Sequence, residues 1–158
     1  MSPSLSPSIS PSISPSVSPS PSPGWENYTR GDYAALPAGI VDLENAYSVQ
    51  DYTDVNTKND VRVAQSATDE YTIHQFKDYV GANSACSLEW EGQTNYSPEL
   101  STVYLQIYNR DTDEWEVVDS ESSPEADVDF TLSGNIADLT NYKSANGIIV
   151  CRVYQEDL

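Results

Sequence analysis

Positive charge is scarce in this chain. Seven Lys and Arg residues stand against 25 Asp and Glu, a formal net charge of −18 over 158 residues. A surface of that sign repels phosphate, which argues against nucleic-acid binding and against docking on an anionic membrane. No run of about 18 apolar residues occurs, so membrane insertion by a helix is not expected. A signal peptide is not expected either, because no basic start is followed by an apolar stretch. His74 is the single histidine, and there is no Gly-X-Ser-X-Gly elbow, so neither a histidine metal pair nor a recognisable nucleophile is present. Carboxylate pairs are inevitable among 25 acids and give glycosidase chemistry no support. The expectation is a protein that is not an enzyme.

What the chain does have is a repeat. Pro occupies positions 3, 7, 11, 15, 19, 21 and 23, and Ser fills every even position from Ser2 to Ser22. The unit is Pro-Ser-X-Ser, with Leu5, Ile9, Ile13 and Val17 at X. Pro fixes its own φ and biases the preceding residue toward extended conformations. The first 25 residues carry no charge, and the repeat has no aromatic residue and no helix-forming run, so it cannot build a core. An extended, solvated tail of polyproline II character over residues 1–24 is expected, reaching about 70 Å. Hydroxyls at such regular spacing suit an O-glycosylated stalk, and they equally suit a plain spacer. The remaining residues, 25–158, have the size of one ordinary domain.

The repeat resembles the linear tetrapeptide repeats of glycan-coated extracellular fibrils, in which Pro is followed by Ser or Thr, any residue, then Ser or Thr. That resemblance implies sugars on Ser4, Ser6, Ser8, Ser10, Ser12, Ser14, Ser16 and Ser18. It also implies hydroxylation and glycosylation of Pro3, Pro7, Pro11 and Pro15, and an extracellular or cell-surface location. The pattern slips after Ser18, where Pro21 takes the X position and Gly24 replaces the next Ser.

Beyond the repeat the chain reads as short strands. Val61–Gln65, Tyr71–Val80, Cys86–Glu91, Val103–Tyr108, Trp115–Asp119, Asp127–Leu132 and Ile149–Tyr154 are rich in β-formers, mostly with alternating polarity. The apolar residues of 71–80 change parity near Gln75, which suggests a bulge there. Residues 102–119 read as a hairpin, and 136–146 as a loop or a single helical turn. Half-apolar strands indicate antiparallel sheets with one wet face, and hence an all-β sandwich. The segment 71–155 resembles the jelly-roll sandwiches of bacterial surface and phage proteins, carried by Cys86-Ser87-Leu88-Glu89-Trp90-Glu91-Gly92, by Val103 to Asn109 with Trp115-Glu116, by Asn141-Tyr142 and by Cys151-Arg152-Val153-Tyr154.

Five further features are candidates for function. Cys86 and Cys151 both fall on core faces by alternation. They are candidates for a disulfide closing a loop of about 65 residues, with two buried thiols as the alternative. Asp51, Asp54, Asn56, Asn59 and Asp60 crowd one stretch, a candidate structural calcium loop or a solvated turn. Tyr104 and Tyr108 face outward on one strand and suit either sugar stacking or a subunit contact. Arg30-Gly31-Asp32 and the sequons at Asn27 and Asn95 are short enough to occur by chance. The expected function is a structural subunit of an extracellular fibre or appendage, a homopolymer with covalent glycans. The alternative is a carbohydrate-binding or adhesin module on a flexible stalk.

Overall fold

The computed structural model of the chain describes residues 8–14, 27–56, 60–68 and 70–156. Among these are strands β1 (Ser8–Ser14), β2 (Asn27–Tyr33), β3 (Asn45–Ala46), β4 (Val63–Ala64), β5 (Tyr71–Tyr79), β6 (Cys86–Gln93), β7 (Val103–Asn109), β8 (Glu114–Glu121), β9 (Phe130–Ile136) and β10 (Ile148–Glu156), and the helix α1 (Val49–Val55). A four-stranded sheet has the order β4-β1-β6-β9, and a six-stranded sheet the order β3-β2-β5-β10-β7-β8. Every strand pairing among the described residues is antiparallel.

One core joins the sheets. Leu88, Trp90, Phe130 and Leu132 come from the smaller sheet, and Phe76, Leu105, Ile107, Cys151 and Val153 from the larger. Each large apolar side chain buried in this way contributes about 1.5–3 kcal/mol. The alternation in β6 is strict: Cys86, Leu88 and Trp90 are buried, while Ser87, Glu89 and Glu91 are half-buried. The all-β, antiparallel expectation therefore holds.

The expected bulge near Gln75 does not form. β5 pairs with β10 without a break from Tyr71 opposite Glu156 to Tyr79 opposite Ile148. The parity change has another cause, which is that β5 is covered on both faces. Phe76 belongs to the core, while Ile73 and Gln75, on the other face, are also buried. The connection of residues 34–44 crosses that outer face. Gln75 Nε2 donates to the Val41 carbonyl at 3.1 Å, Arg152 Nη1 to the Pro37 carbonyl at 2.7 Å, and the Leu43 amide to Thr29 Oγ1 at 3.0 Å.

The irregularity lies instead between β7 and β8. Leu105 pairs with Asp119 and Gln106 with Val117, so Val118 is the extra residue. Val118 packs against the core and comes up to Gly134 of β9, where a Cβ would collide with its Cγ1. Gly134 thus permits β8 to approach β9 and close one side of the sandwich.

Helix α1 departs from the expected strand-and-loop reading. Ser48 caps it: its Oγ accepts from the Asp51 amide at 3.1 Å, and Asp51 Oδ2 accepts from the Ser48 amide at 2.8 Å. The segment 136–146 forms a turn, as expected, with the fully buried Leu139 accepting from the amides of Tyr142 and Lys143.

Candidate functional site

The largest departure from expectation is the repeat itself. Residues 8–14, expected in a solvated polyproline II tail, form strand β1 between β4 and β6. The register with β6 runs from Ser8 opposite Gln93 to Ser14 opposite Ser87, with Pro11 opposite Trp90. β4 reaches only Ser8 and Ile9, which lie opposite Ala64 and Val63.

Proline would be expected to obstruct such a strand, since it has no donor for the ladder. The phase of the repeat removes the obstruction. In an antiparallel ladder, a residue's N–H and C=O point to the same neighbour, and successive residues alternate between neighbours. Every proline of the repeat is at an odd position, so in any one strand built from it the missing donors share an edge, and in β1 the one missing donor is that of Pro11. Pro11 fits with that edge turned away from β6, which leaves Ser8, Ser10, Ser12 and Ser14 to exchange hydrogen bonds with β6. On the odd edge only X residues retain an N–H. Ile9 is such a residue, and it is where β4 pairs.

Of the residues expected to carry sugars, Ser8, Ser10, Ser12, Ser14 and Pro11 lie in β1. Ser4, Ser6, Ser16, Ser18, Pro3, Pro7 and Pro15 lie outside the described residues. The serine positions in β1 fall opposite Gln93, Glu91, Glu89 and Ser87, the half-buried positions of β6.

Cys86 and Cys151 are brought to the core from facing sheets, where both are buried free thiols, the alternative weighed beside the bridge. Burial pushes the Cys86 thiol up to about 11 and that of Cys151 well above its ordinary value, which leaves both unreactive. The expected calcium loop is also dispersed. Asp51 serves the helix cap and pairs with Arg30 at 3.7 Å, Asp54 accepts from Gln50, and Asn56 closes the helix, while Asn59 lies outside the described residues. No cluster of three or more His, Cys, Asp or Glu side chains that could hold a metal occurs among the described residues. His74 is buried, with Nδ1 on the Tyr47 hydroxyl, and burial lowers its pKa to about 3. Arg30-Gly31-Asp32 forms the middle of β2, with Arg30 Nη1 bound to the Ala64 carbonyl, so it is not a presented loop.

Tyr104 and Tyr108 share the outer face of the larger sheet but have different surroundings. Tyr108 is buried, its ring set at 68° to Trp115 with centroids 5.2 Å apart. Tyr104 instead stacks on Tyr154 of β10, its partner in register, at 5.2 Å and 24°. Tyr71 of β5 meets Tyr154 edge-on at 6.0 Å. The three rings line a cleft of about 340 Å³, completed by Leu36, Leu100, Ser101, Thr102 and Glu156. Glu156 accepts a hydrogen bond from Tyr71; burial first, and then this bond, raise the Tyr71 pKa. Beside the cleft on the same outer face, Arg152 lies 4.1 Å over the Trp115 ring and donates through Nε to Gln106 at 2.7 Å. Tyr71, Tyr154 and Glu156 join this site only through strand order. Alternation put Tyr154 on the face opposite Cys151 but could not name its neighbours.

No protein family, characterised protein or solved structure matches the chain.

Proposed function

We propose that the protein is a structural subunit of an extracellular fibre or surface appendage, whose Pro-Ser-X-Ser repeat is an arm that adds a strand to a sandwich. The observation that carries this reading is the seat of β1 between β4 and β6, with Pro11 opposite Trp90 and all other prolines of the repeat at the same sequence parity as Pro11. β6 engages seven residues, a fraction of a repeat that runs from Ser2 to Pro23. A shift of four residues presents β6 with the same donors and the same prolines, so the backbone specifies register weakly. Strands of that kind are prone to exchange. A repeat from a second copy satisfies β6 as well as the chain's own does, and main-chain pairing supplies the affinity. A jelly-roll wrap of the two sheets belongs to the same reading. So do sugars on the serines, whose positions lie in register with the half-buried positions Ser87, Glu89, Glu91 and Gln93 of β6.

The test is light scattering of the full chain over a wide concentration range, with two variants carrying equal numbers of added prolines. Ser10→Pro/Ser12→Pro removes donors facing β6 and is expected to abolish assembly. Ile9→Pro/Ile13→Pro removes donors on the other edge and is expected to preserve it. A wild-type chain that stays monomeric throughout, or equal effects of the two variants, would contradict the proposal. Intact mass of protein purified from its source tests the glycans: hexose-sized increments on residues 1–24 are expected, and the bare mass of 17.4 kDa refutes them.

A further inference from the structure

The outer face of the six-stranded sheet carries a second site, at the other layer of the molecule from β1 and independent of any assembly. The cleft between Leu36 and Leu100 holds three tyrosine rings of β5, β7 and β10 in a row, with one carboxylate and two hydroxyl side chains at the margin. Its volume of about 340 Å³ falls within the roughly 300–1,000 Å³ usual for small-ligand clefts. Leu100 is 65% exposed at the rim, an apolar side chain with no cover among the described residues.

We infer that this cleft binds an uncharged sugar, one or two residues of a neutral glycan. Aromatic faces beside a carboxylate suit a ligand with an apolar C–H face and a rim of hydroxyls. The ring surface that Tyr71, Tyr104 and Tyr154 leave open to the cleft accepts the face, Glu156 accepts from hydroxyls, and Ser101, Thr102 and the tyrosine hydroxyls donate or accept at the edge. Charge selects within the sugars. Glu156 in the cleft and a net charge of −18 on the chain repel uronates and other anionic saccharides. The rings are preorganised, since Tyr104 and Tyr154 are already stacked and Arg152, two residues before Tyr154 on the same face of β10, lies 5.4 Å from its ring. The chain's own repeat is also uncharged and rich in rings, but its described part is occupied in β1. A free sugar polymer is therefore the better occupant.

The experiment is ligand-observed NMR and calorimetry on the full chain. The probes are a panel of neutral hexose oligomers with α- and β-linkages, with polygalacturonate as the anionic control and a synthetic peptide of residues 2–19 as the competing occupant. At least one neutral oligomer is expected to bind, polygalacturonate is not, and the peptide is not expected to displace the sugar. Tyr104→Ala is expected to weaken binding at least tenfold, whereas Tyr104→Phe, which keeps the ring, stays within about threefold. Because Tyr104→Ala disturbs the stack, Thr102→Trp serves as a second variant that fills the cleft from its margin and is expected to abolish binding. Glu156→Gln is expected to relax the rejection of polygalacturonate. Failure of every neutral oligomer to bind, binding unaffected by Thr102→Trp, or displacement of the sugar by the peptide would overturn the assignment. Since assembly is read separately by scattering, loss of one result leaves the other intact.

Discussion

The two sheets specify their strands by different means. In the six-stranded sheet, β5 and β10 pair along nine residues in one register, fixed by burial on both sides. Slipping by one residue would exchange the core positions Phe76 and Cys151 with the outer positions Gln75 and Arg152, whose partners are in the 34–44 connection. In the four-stranded sheet, β1 comes from a repeat that returns to the same backbone pattern every four residues. One sheet has a register fixed by its own side chains, whereas the repeat offers β6 the same backbone pattern at every fourth residue. The proposed assembly through the repeat and the proposed sugar site on the opposite face rest on that difference.

Substitutions can break the comparison, and the largest effect is expected at the centre of the smaller sheet. Trp90 is 1% exposed, lies opposite Pro11 and meets Phe130 at 5.4 Å. Trp90→Ala is expected to cost about 3–5 kcal/mol, read as a lowered urea midpoint, with Trp90→Phe recovering a large part. Next comes the seam where the sheets meet. Gly134→Val drives a side chain into Val118 and is expected to cost about 1–3 kcal/mol, with partial rescue by Val118→Ala in a double-mutant cycle.

Acid sharpens the comparison from the side of the larger sheet. Burial holds His74 neutral in the folded chain, with its pKa lowered from 6.5 to about 3. The unfolded chain takes up a proton as pH falls below 6.5 and the folded one does not. Stability is therefore full above pH 6.5 and is lost between 6.5 and about 3, by at most about 1.4 kcal/mol per pH unit. The carboxylates with lowered pKa values, Asp42 beside Lys77 among them, add to this loss only nearer their own range. Urea unfolding between pH 6.5 and 5 should thus show a slope that disappears in His74→Gln; an unchanged slope in that variant would place the proton elsewhere. The smallest expected effect separates the two edges of β1. Ser10→Pro is expected to cost about 1 kcal/mol through a lost ladder bond, and Ile13→Pro, on the edge that β4 does not reach, a few tenths at most.

The strands were largely legible because their alternation is a local property: Cys86 to Glu91 and Val103 to Ile107 give their faces by inspection. β5 misled because Ile73 and Gln75 are buried on the outer face, which the 34–44 connection crosses at Gln75, a cover that no local pattern reveals. Helix α1 was legible in principle, since Ser48 to Asp51 spells a capping box, but the crowd of acidic and amide side chains read more readily as a loop. The site was half legible. Tyr104 was placed correctly on the outer face, whereas its partners Tyr154 and Tyr71 arrive from strands 50 residues later and 33 residues earlier in the chain. The proline phase was visible throughout but acquires meaning only against a neighbouring strand.

Amide hydrogen exchange along the repeat tests the central claim most directly. If β1 pairs through its serine edge, the amides of Ser10 and Ser12 exchange slowly, Ile9 shows intermediate protection from β4, and Ile13 exchanges as fast as an unstructured residue. Uniformly fast exchange of serine and isoleucine amides alike, or protection of Ile13 with Ser10 and Ser12 free, would contradict it.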